Sequence, residues 1–301
     1  MNLDNLTKRL SELKIEYEKN EPMSRHTTFK IGGNADIFVK VKNETELKTV
    51  LDLISEYNIP YFILGKGSNL LVSDKGIEGA VISLDGIDDI KIDGDTVLCG
   101  AGASLRALCI AAQKASLSGL EFAYGIPGTV GGALYMNAGA YGGEMSQVVV
   151  CATAIDRNGN KHNLSLNEMN LGYRTSVFKN TDLIITSVTF KLKQGNVGEI
   201  KSTMDDIFAR RKEKQPLEYP SAGSTFKRPT GYFAGALIEK SSLKGVSVGG
   251  AQVSKKHAGF VINTGNATCC DVLSLIKKVQ STVKAADGVD LETEVIFVGR
   301  E

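Results

Sequence analysis

The chain has 301 residues, 42% of them hydrophobic and 23% charged, with a formal net charge of +1. That is the make-up of an ordinary globular protein, long enough to bury a sizeable core. Near-neutrality argues against a nucleic-acid or anionic-membrane partner, and no apolar run approaches the ~20 residues of a membrane span. The start, MNLDNLTKRLSELK, reads as charged and amphipathic rather than as a signal peptide. The five cysteines, Cys99, Cys109, Cys151, Cys269 and Cys270, show no CxxC spacing. They read as free thiols of a reducing cytoplasm. With only three histidines, no metal site is expected, and nothing implies an obligate protein partner.

In chain order, Leu3, Leu6, Leu10 and Leu13 recur at helical spacing and predict a short opening helix. Gly32 and Gly33 mark a bend, and Ala35 to Val41 alternates like a strand. Asn43 or Thr45 caps a helix that runs to about Tyr57. Pro60 stops it, and Tyr61 to Leu64 reads as a buried strand. Directly after comes Gly65-Lys66-Gly67-Ser68-Asn69-Leu70. A tight turn of this kind can offer backbone N–H groups to an anion. It lacks the third glycine of the dinucleotide fingerprint, which is Leu70 here, and no GxxxxGK[ST] occurs.

Short strands joined by Asp and Gly turns follow over residues 80–100, then a helix capped by Ser104 that runs to about Ser116. Next is GLEFAYGIPGTVGGALYMNAGAYGG, Gly119 to Gly143. Eight glycines are interleaved with aromatic and aliphatic residues instead of the Ser, Asn and Asp of a solvent loop. Buried irregular backbone that approaches something closely, in a cavity or a packing crossover, has this composition. Strands are expected at Val148 to Asp156 and at Leu183 to Leu192. Gly195, Asn196 and Gly198 break the composition and mark a domain boundary. A helix over Glu199 to Lys212 ends in Arg210, Arg211, Lys212 and Lys214. A further helix is read at Tyr232 to Lys240, and a long one capped by Thr268 or Asp271 runs to Ala286. Leu291 to Val298 reads as the final strand. Strands flanking a few helices give an α+β class.

Three polar residues sit in unusual surroundings: Arg174 between aromatics in GYRTSVF, Ser224 in the small-residue turn SAGSTF, and Glu294 on an otherwise apolar strand. From local sequence alone they read as a surface cation, a turn or cap hydroxyl and a solvent-facing strand residue. No Ser-His-Asp or Cys-His arrangement stands out.

Taken together, HTTFKIGG (26–33), Leu64 to Val72, Gly125 to Gly142, Tyr173 to Phe178, Ser221 to Pro229 and Leu291 to Val298 resemble the UDP-N-acetylenolpyruvoylglucosamine reductases, in the form without an inserted tyrosine loop. Their joint occurrence in order is highly specific and spans the chain from about residue 24 to its end. The resemblance implies the FAD-binding fold of the vanillyl-alcohol oxidase type. It divides the chain into two α/β FAD-binding subdomains (1–80 and 81–195) and a substrate domain (196–301), with the last strand able to return to the FAD part.

It also implies roles. Gly65, Lys66, Gly67, Ser68, Asn69 and Leu70 would cradle the FAD pyrophosphate. Gly125, Ile126, Pro127, Gly128, Gly131 and Gly132 would lie along the flavin. Arg174, Ser224 and Glu294 fall on the catalytic arginine, serine and glutamate, and Lys214, Lys227 and Arg228 on diphosphate contacts. The implied reaction uses non-covalent FAD, reduced by NADPH, to convert the enolpyruvyl ether of UDP-N-acetylglucosamine to UDP-N-acetylmuramate in peptidoglycan precursor synthesis. Arg174, with Glu294 as a partner or proton donor, would stabilise the developing enolate, and Ser224 would deliver the proton. Two alternatives stand beside this: another FAD oxidoreductase of the same fold, or a sugar-nucleotide-binding protein without catalysis. The presence of all three polar residues disfavours the second. The first, in its covalent subgroup, is disfavoured because neither 65–72 nor 119–143 holds a His or Cys.

Overall fold

The computed structural model describes residues 2–301. The chain divides into two compact units. The first holds the segment up to Lys19, Ile37–Lys66 and Gly79–Arg211; the second holds Asn20–Asp36, Gly67–Glu78 and Lys212–Glu301.

In the first unit a five-stranded antiparallel sheet runs in the order Lys161–Ser165, Val149–Ile155, Ile184–Lys191, Thr96–Gly100, Ile90–Asp93. From Thr186 on its central strand alternates: Thr186, Val188 and Phe190 are buried, whereas Ser187, Thr189 and Lys191 are not. One face therefore has to be covered. The helix Val130–Tyr135 does so, packing on Ile184–Lys191 and Thr96–Gly100. The helix Leu105–Lys114 starts where Ser104 Oγ accepts the Ala107 N–H, and buries Leu105, Leu108, Cys109 and Ala112. Asn43 caps the helix Glu44–Glu56 in the same way, with Glu46 as donor. The strand Tyr61–Leu64 pairs in parallel with residues 80–83. It belongs to a four-stranded sheet that also holds Glu16–Pro22 and Asn34–Lys40. The strands Glu16–Pro22 and Lys161–Ser165 were not expected. Both are polar and mostly exposed, so no apolar alternation marks them.

The second unit is an antiparallel sheet of Ser221–Ser224, Phe260–Asn263, Ala251–Val253 and Ser247–Val248. The helix Cys269–Asp287 packs on the last two strands named. Val272, Leu275, Ile276, Val279 and Val283 fall on its buried stripe. Thr268 and Asp271 form a capping box, and Gly288 at φ 70° closes the other end. A second acceptor comes from far away in sequence. Asp74 Oδ1 takes the Cys269 N–H at 2.8 Å and Oδ2 the Cys270 N–H at 3.1 Å. Asp74→Ala is expected to cost about 1 kcal/mol of stability, as loss of an N-cap does; an unchanged urea midpoint would show that water replaces it.

All five cysteines are free, and burial pushes the Cys99, Cys109 and Cys269 thiols up to about 12. No helix among the described residues is long and apolar enough to cross a membrane.

Candidate active site

The Gly65–Leu70 turn links the strands Tyr61–Leu64 and Leu70–Val72. Its glycines are required by the protein itself. A Cβ on Gly65 would lie 2.6 Å from Thr129 Oγ1, and one on Gly67, at φ 57°, would lie 2.2 Å from the His26 carbonyl. The Lys66 ammonium is 3.1 Å from Asp85. The backbone N–H groups of Lys66, Gly67, Ser68 and Asn69 donate to no protein acceptor among the described residues. Backbone donors left unpaired in one turn suit an anion such as a pyrophosphate.

The glycine-rich stretch divides into two kinds of position. Thr129 caps the helix Val130–Tyr135 by accepting the Gly132 N–H at 3.2 Å. Gly131 gives its space to Ala101, 2.9 Å from an added Cβ, and Gly143 to Phe122 at 2.6 Å. Those two glycines are explained by packing within the protein. Gly132 is different: an added Cβ meets only Thr129 Oγ1, so its other side is open to a flat group. Gly125 lies against the Arg211 side chain, 3.0 Å from an added Cβ to Cδ. Arg211 is half-buried, and burial pushes its guanidinium pKa down. Its guanidinium forms no hydrogen bond or ion pair among the described residues. A desolvated cation without a carboxylate partner favours an anionic or electron-rich group beside it. The open amides, the uncovered Gly132 face and Arg211 each fit a part of a flavin dinucleotide.

Arg174 sits at the tip of a tight turn in the first unit. Gly172 N–H donates to Thr175 O at 3.1 Å, and Thr175 N–H returns to Gly172 O at 3.3 Å. Tyr173 and Arg174 form the tip between them, and Arg174 takes φ 54°, a conformation costly for a residue with a Cβ. The guanidinium lies over the Tyr173 ring, 5.2 Å from its centroid, and Nη2 donates to Gly139 O at 3.3 Å. Two buried polar residues fasten this turn to the glycine-rich stretch. Asn137 Nδ2 donates to Gly172 O at 3.0 Å, and Ser176 Oγ donates to Tyr135 O at 2.7 Å.

Ser224 and Glu294 are brought together in the second unit. Ser224 ends the strand Ser221–Ser224 opposite Phe260. The next residue, Thr225, accepts the Glu294 N–H at 2.9 Å, and Lys227 N–H donates to Glu292 O at 2.8 Å. Glu294 is half-buried. Its carbonyl accepts from Asn69 Nδ2 at 3.0 Å, and Ile296 N–H donates to Asn69 O at 2.9 Å. The Gly67–Leu70 half of the turn and the Ser224–Glu294 pair are thus joined by hydrogen bonds. The strand expected over Leu291 to Val298 is only Ile296–Val298, parallel to Leu70–Val72. Residues 292–294 turn instead to Thr225–Lys227, through an isolated bridge between Phe226 and Thr293.

Of the three basic residues, Lys214 is exposed at the end of the helix Val197–Lys214. Lys227 lies 3.0 Å from Glu292. Arg228 stacks on Phe233 at 4.0 Å and donates from Nε to Tyr232 O at 3.4 Å. Asn137, Ser176 and Arg211 carry structure that sequence reasoning did not single out as site residues. A signal existed only for Arg211, in the basic helix end.

The match to known proteins is close along nearly the whole chain. Residues 35–165 match the family model "FAD binding domain", and residues 215–298 match "UDP-N-acetylenolpyruvoylglucosamine reductase, C-terminal domain". The UDP-N-acetylenolpyruvoylglucosamine reductase of Clostridium novyi is 52% identical over 96% of this chain and 94% of its own. The chain belongs to the UDP-N-acetylenolpyruvoylglucosamine reductase family. The Clostridium perfringens reductase is likewise 52% identical, over 94% of this chain and 93% of its own. The crystal structure of the reductase from Thermus caldophilus superposes with a TM-score of 0.81 at 36% identity, covering 94% of this chain and 98% of that one. This family member therefore has the family's α+β fold with its FAD-binding domain, and it is an FAD-dependent oxidoreductase.

Proposed function

We propose that this protein reduces UDP-N-acetylglucosamine enolpyruvate to UDP-N-acetylmuramate for peptidoglycan precursor synthesis, with NADPH as reductant and with Arg174, Ser224 and Glu294 as its catalytic residues. The observation that carries the assignment is the Glu294–Thr225 hydrogen bond, which sets Glu294 beside Ser224 from 70 residues away. Family membership supplies the reaction. The division at residues 80 and 195 goes with it as part of this reading; the two domain matches fall on opposite sides of residue 195 and support the second boundary alone. A cytoplasmic setting fits a nucleotide-linked substrate.

FAD, when bound, supplies the two-electron chemistry. The chain's residues do the rest. The amides of Lys66 to Asn69 hold the pyrophosphate, and Gly125, Ile126, Pro127, Gly128 and Gly132 offer backbone to the flavin. Arg174 meets the charge that gathers on the substrate carboxyl as an enolate. Glu294, half-buried and tied by its backbone to Asn69 and Thr225, serves Arg174 as the partner or proton donor that stabilises the same species. Ser224 passes its hydroxyl proton to the carbon next to the carboxyl. Lys214, Lys227 and Arg228 lie near Ser224 in the chain and offer cations to the diphosphate.

FAD is held without a covalent bond, since neither glycine-rich stretch contains a His or Cys. Acid precipitation should release free FAD from a yellow protein; flavin that stays in the pellet would contradict this. Incubation with NADPH and the enolpyruvyl ether should give a product two hydrogens heavier by mass spectrometry. An unchanged substrate would remove the proposed activity.

A further inference from the structure

We propose that Asn137 is the positioning residue for Arg174. The inference rests on the catalytic reading of Arg174 given above. Asn137 is 1% exposed, and its backbone takes φ 41°, which asparagine tolerates better than most residues with a side chain. Both ends of its amide are used. Nδ2 donates to Gly172 O at 3.0 Å, and Oδ1 accepts the Ser146 N–H at 3.0 Å. Gly172 O is also the carbonyl that accepts the Thr175 N–H and closes the Arg174 turn. Asn137 therefore anchors the base of the turn whose tip carries the guanidinium.

The guanidinium returns to the same segment, to Gly139 O, two residues beyond Asn137. Arg174 is thus fixed at two points to one short stretch, by its turn through Asn137 and by its side chain through Gly139. The neighbouring carbonyl of Tyr135 takes the Ser176 hydroxyl and keeps the turn from pivoting. An aliphatic residue at position 137 would leave the part-buried Gly172 carbonyl and Ser146 N–H short of a partner, and would leave the turn free to shift. The strain at Arg174, φ 54°, is what such an anchor has to hold.

The test uses the FAD-loaded enzyme in stopped flow, reading flavin absorbance in each half-reaction. Asn137→Gly keeps the left-handed backbone and deletes both hydrogen bonds. It should leave reduction by NADPH near normal and slow substrate-driven reoxidation ~10- to 100-fold, since a misplacement of about 1 Å can cost that much. The same change in an Arg174→Ala background should slow reoxidation little further, because a residue acting through Arg174 has nothing left to position. If Asn137→Gly does not accumulate as holoprotein, Asn137→Asp carries the test: it keeps the acceptor for Ser146 and removes only the donor to Gly172. Equal losses in both backgrounds, or parallel losses in both half-reactions, would assign Asn137 to general stability and overturn the inference. Arg174→Ala that reoxidises normally would instead remove the role of Arg174. Slow Arg174→Ala beside a normal Asn137→Gly would overturn the present inference alone.

Discussion

Ser224→Ala should bind FAD, be reduced by NADPH at close to the normal rate, and then reoxidise with the enolpyruvyl substrate ~10²–10⁴-fold more slowly, the usual worth of general acid catalysis. That is roughly 3–5 kcal/mol of barrier. The proposed role touches only the second half of the cycle, so the effect should be confined there. The structure limits the alternative. Ser224 ends a short strand, and the neighbouring backbone is held by Thr225 and Gly259, whose N–H and O meet at 2.8 Å. The fold around position 224 therefore does not depend on the serine hydroxyl. A hydroxyl serving as a turn or cap would appear as about 1 kcal/mol of stability with little kinetic change. A variant only a few-fold slower in reoxidation would return the serine to that structural role.

Arg174→Ala should slow the same half-reaction ~10²–10³-fold, the range for removing one group that meets developing negative charge. Glu294→Gln should act in the same half-reaction while leaving the fold intact. Its backbone hydrogen bonds to Thr225 and Asn69 do not involve the carboxylate. Both changes should lower kcat more than they raise KM, because the negative charge that Arg174 meets, with Glu294 as its partner or proton donor, exists only late in the reaction. The double variant should lose less than the product of the two single losses, as residues of one catalytic unit do. Steady-state kinetics of the three variants with NADPH in excess decide this. A change confined to KM would move both residues to ground-state binding of the substrate.

Much of the fold is legible in the amino-acid sequence, because its signals are local. Asn43, Ser104 and Thr268 cap the helices that their side chains predict, and the stripe from Val272 to Val283 faces inward as its spacing requires. The strand at Glu16–Pro22 is not legible, since its residues are polar and exposed. The proposed site is legible only through resemblance. Arg174, Ser224 and Glu294 look locally like a surface cation, a turn hydroxyl and a strand carboxylate. What distinguishes them is long-range: a Glu294 N–H on Thr225, an Asn69 amide on Glu294, an Asn137 amide under the Arg174 turn. Such pairings between distant segments leave no periodic trace. The glycines show the same limit, since Gly131 and Gly132 are adjacent and alike in sequence. One faces Ala101 and the other is open beyond Thr129 Oγ1.

The most direct test is an anaerobic titration of the purified, flavin-loaded protein. One equivalent of NADPH should bleach the flavin absorbance. Addition of UDP-N-acetylglucosamine enolpyruvate should restore it within a single turnover, and in deuterated water the product should carry deuterium on the carbon next to the carboxyl. Flavin that NADPH reduces but the enolpyruvyl ether leaves bleached would contradict the proposed reaction, and a product with protium at that carbon would contradict proton delivery by Ser224.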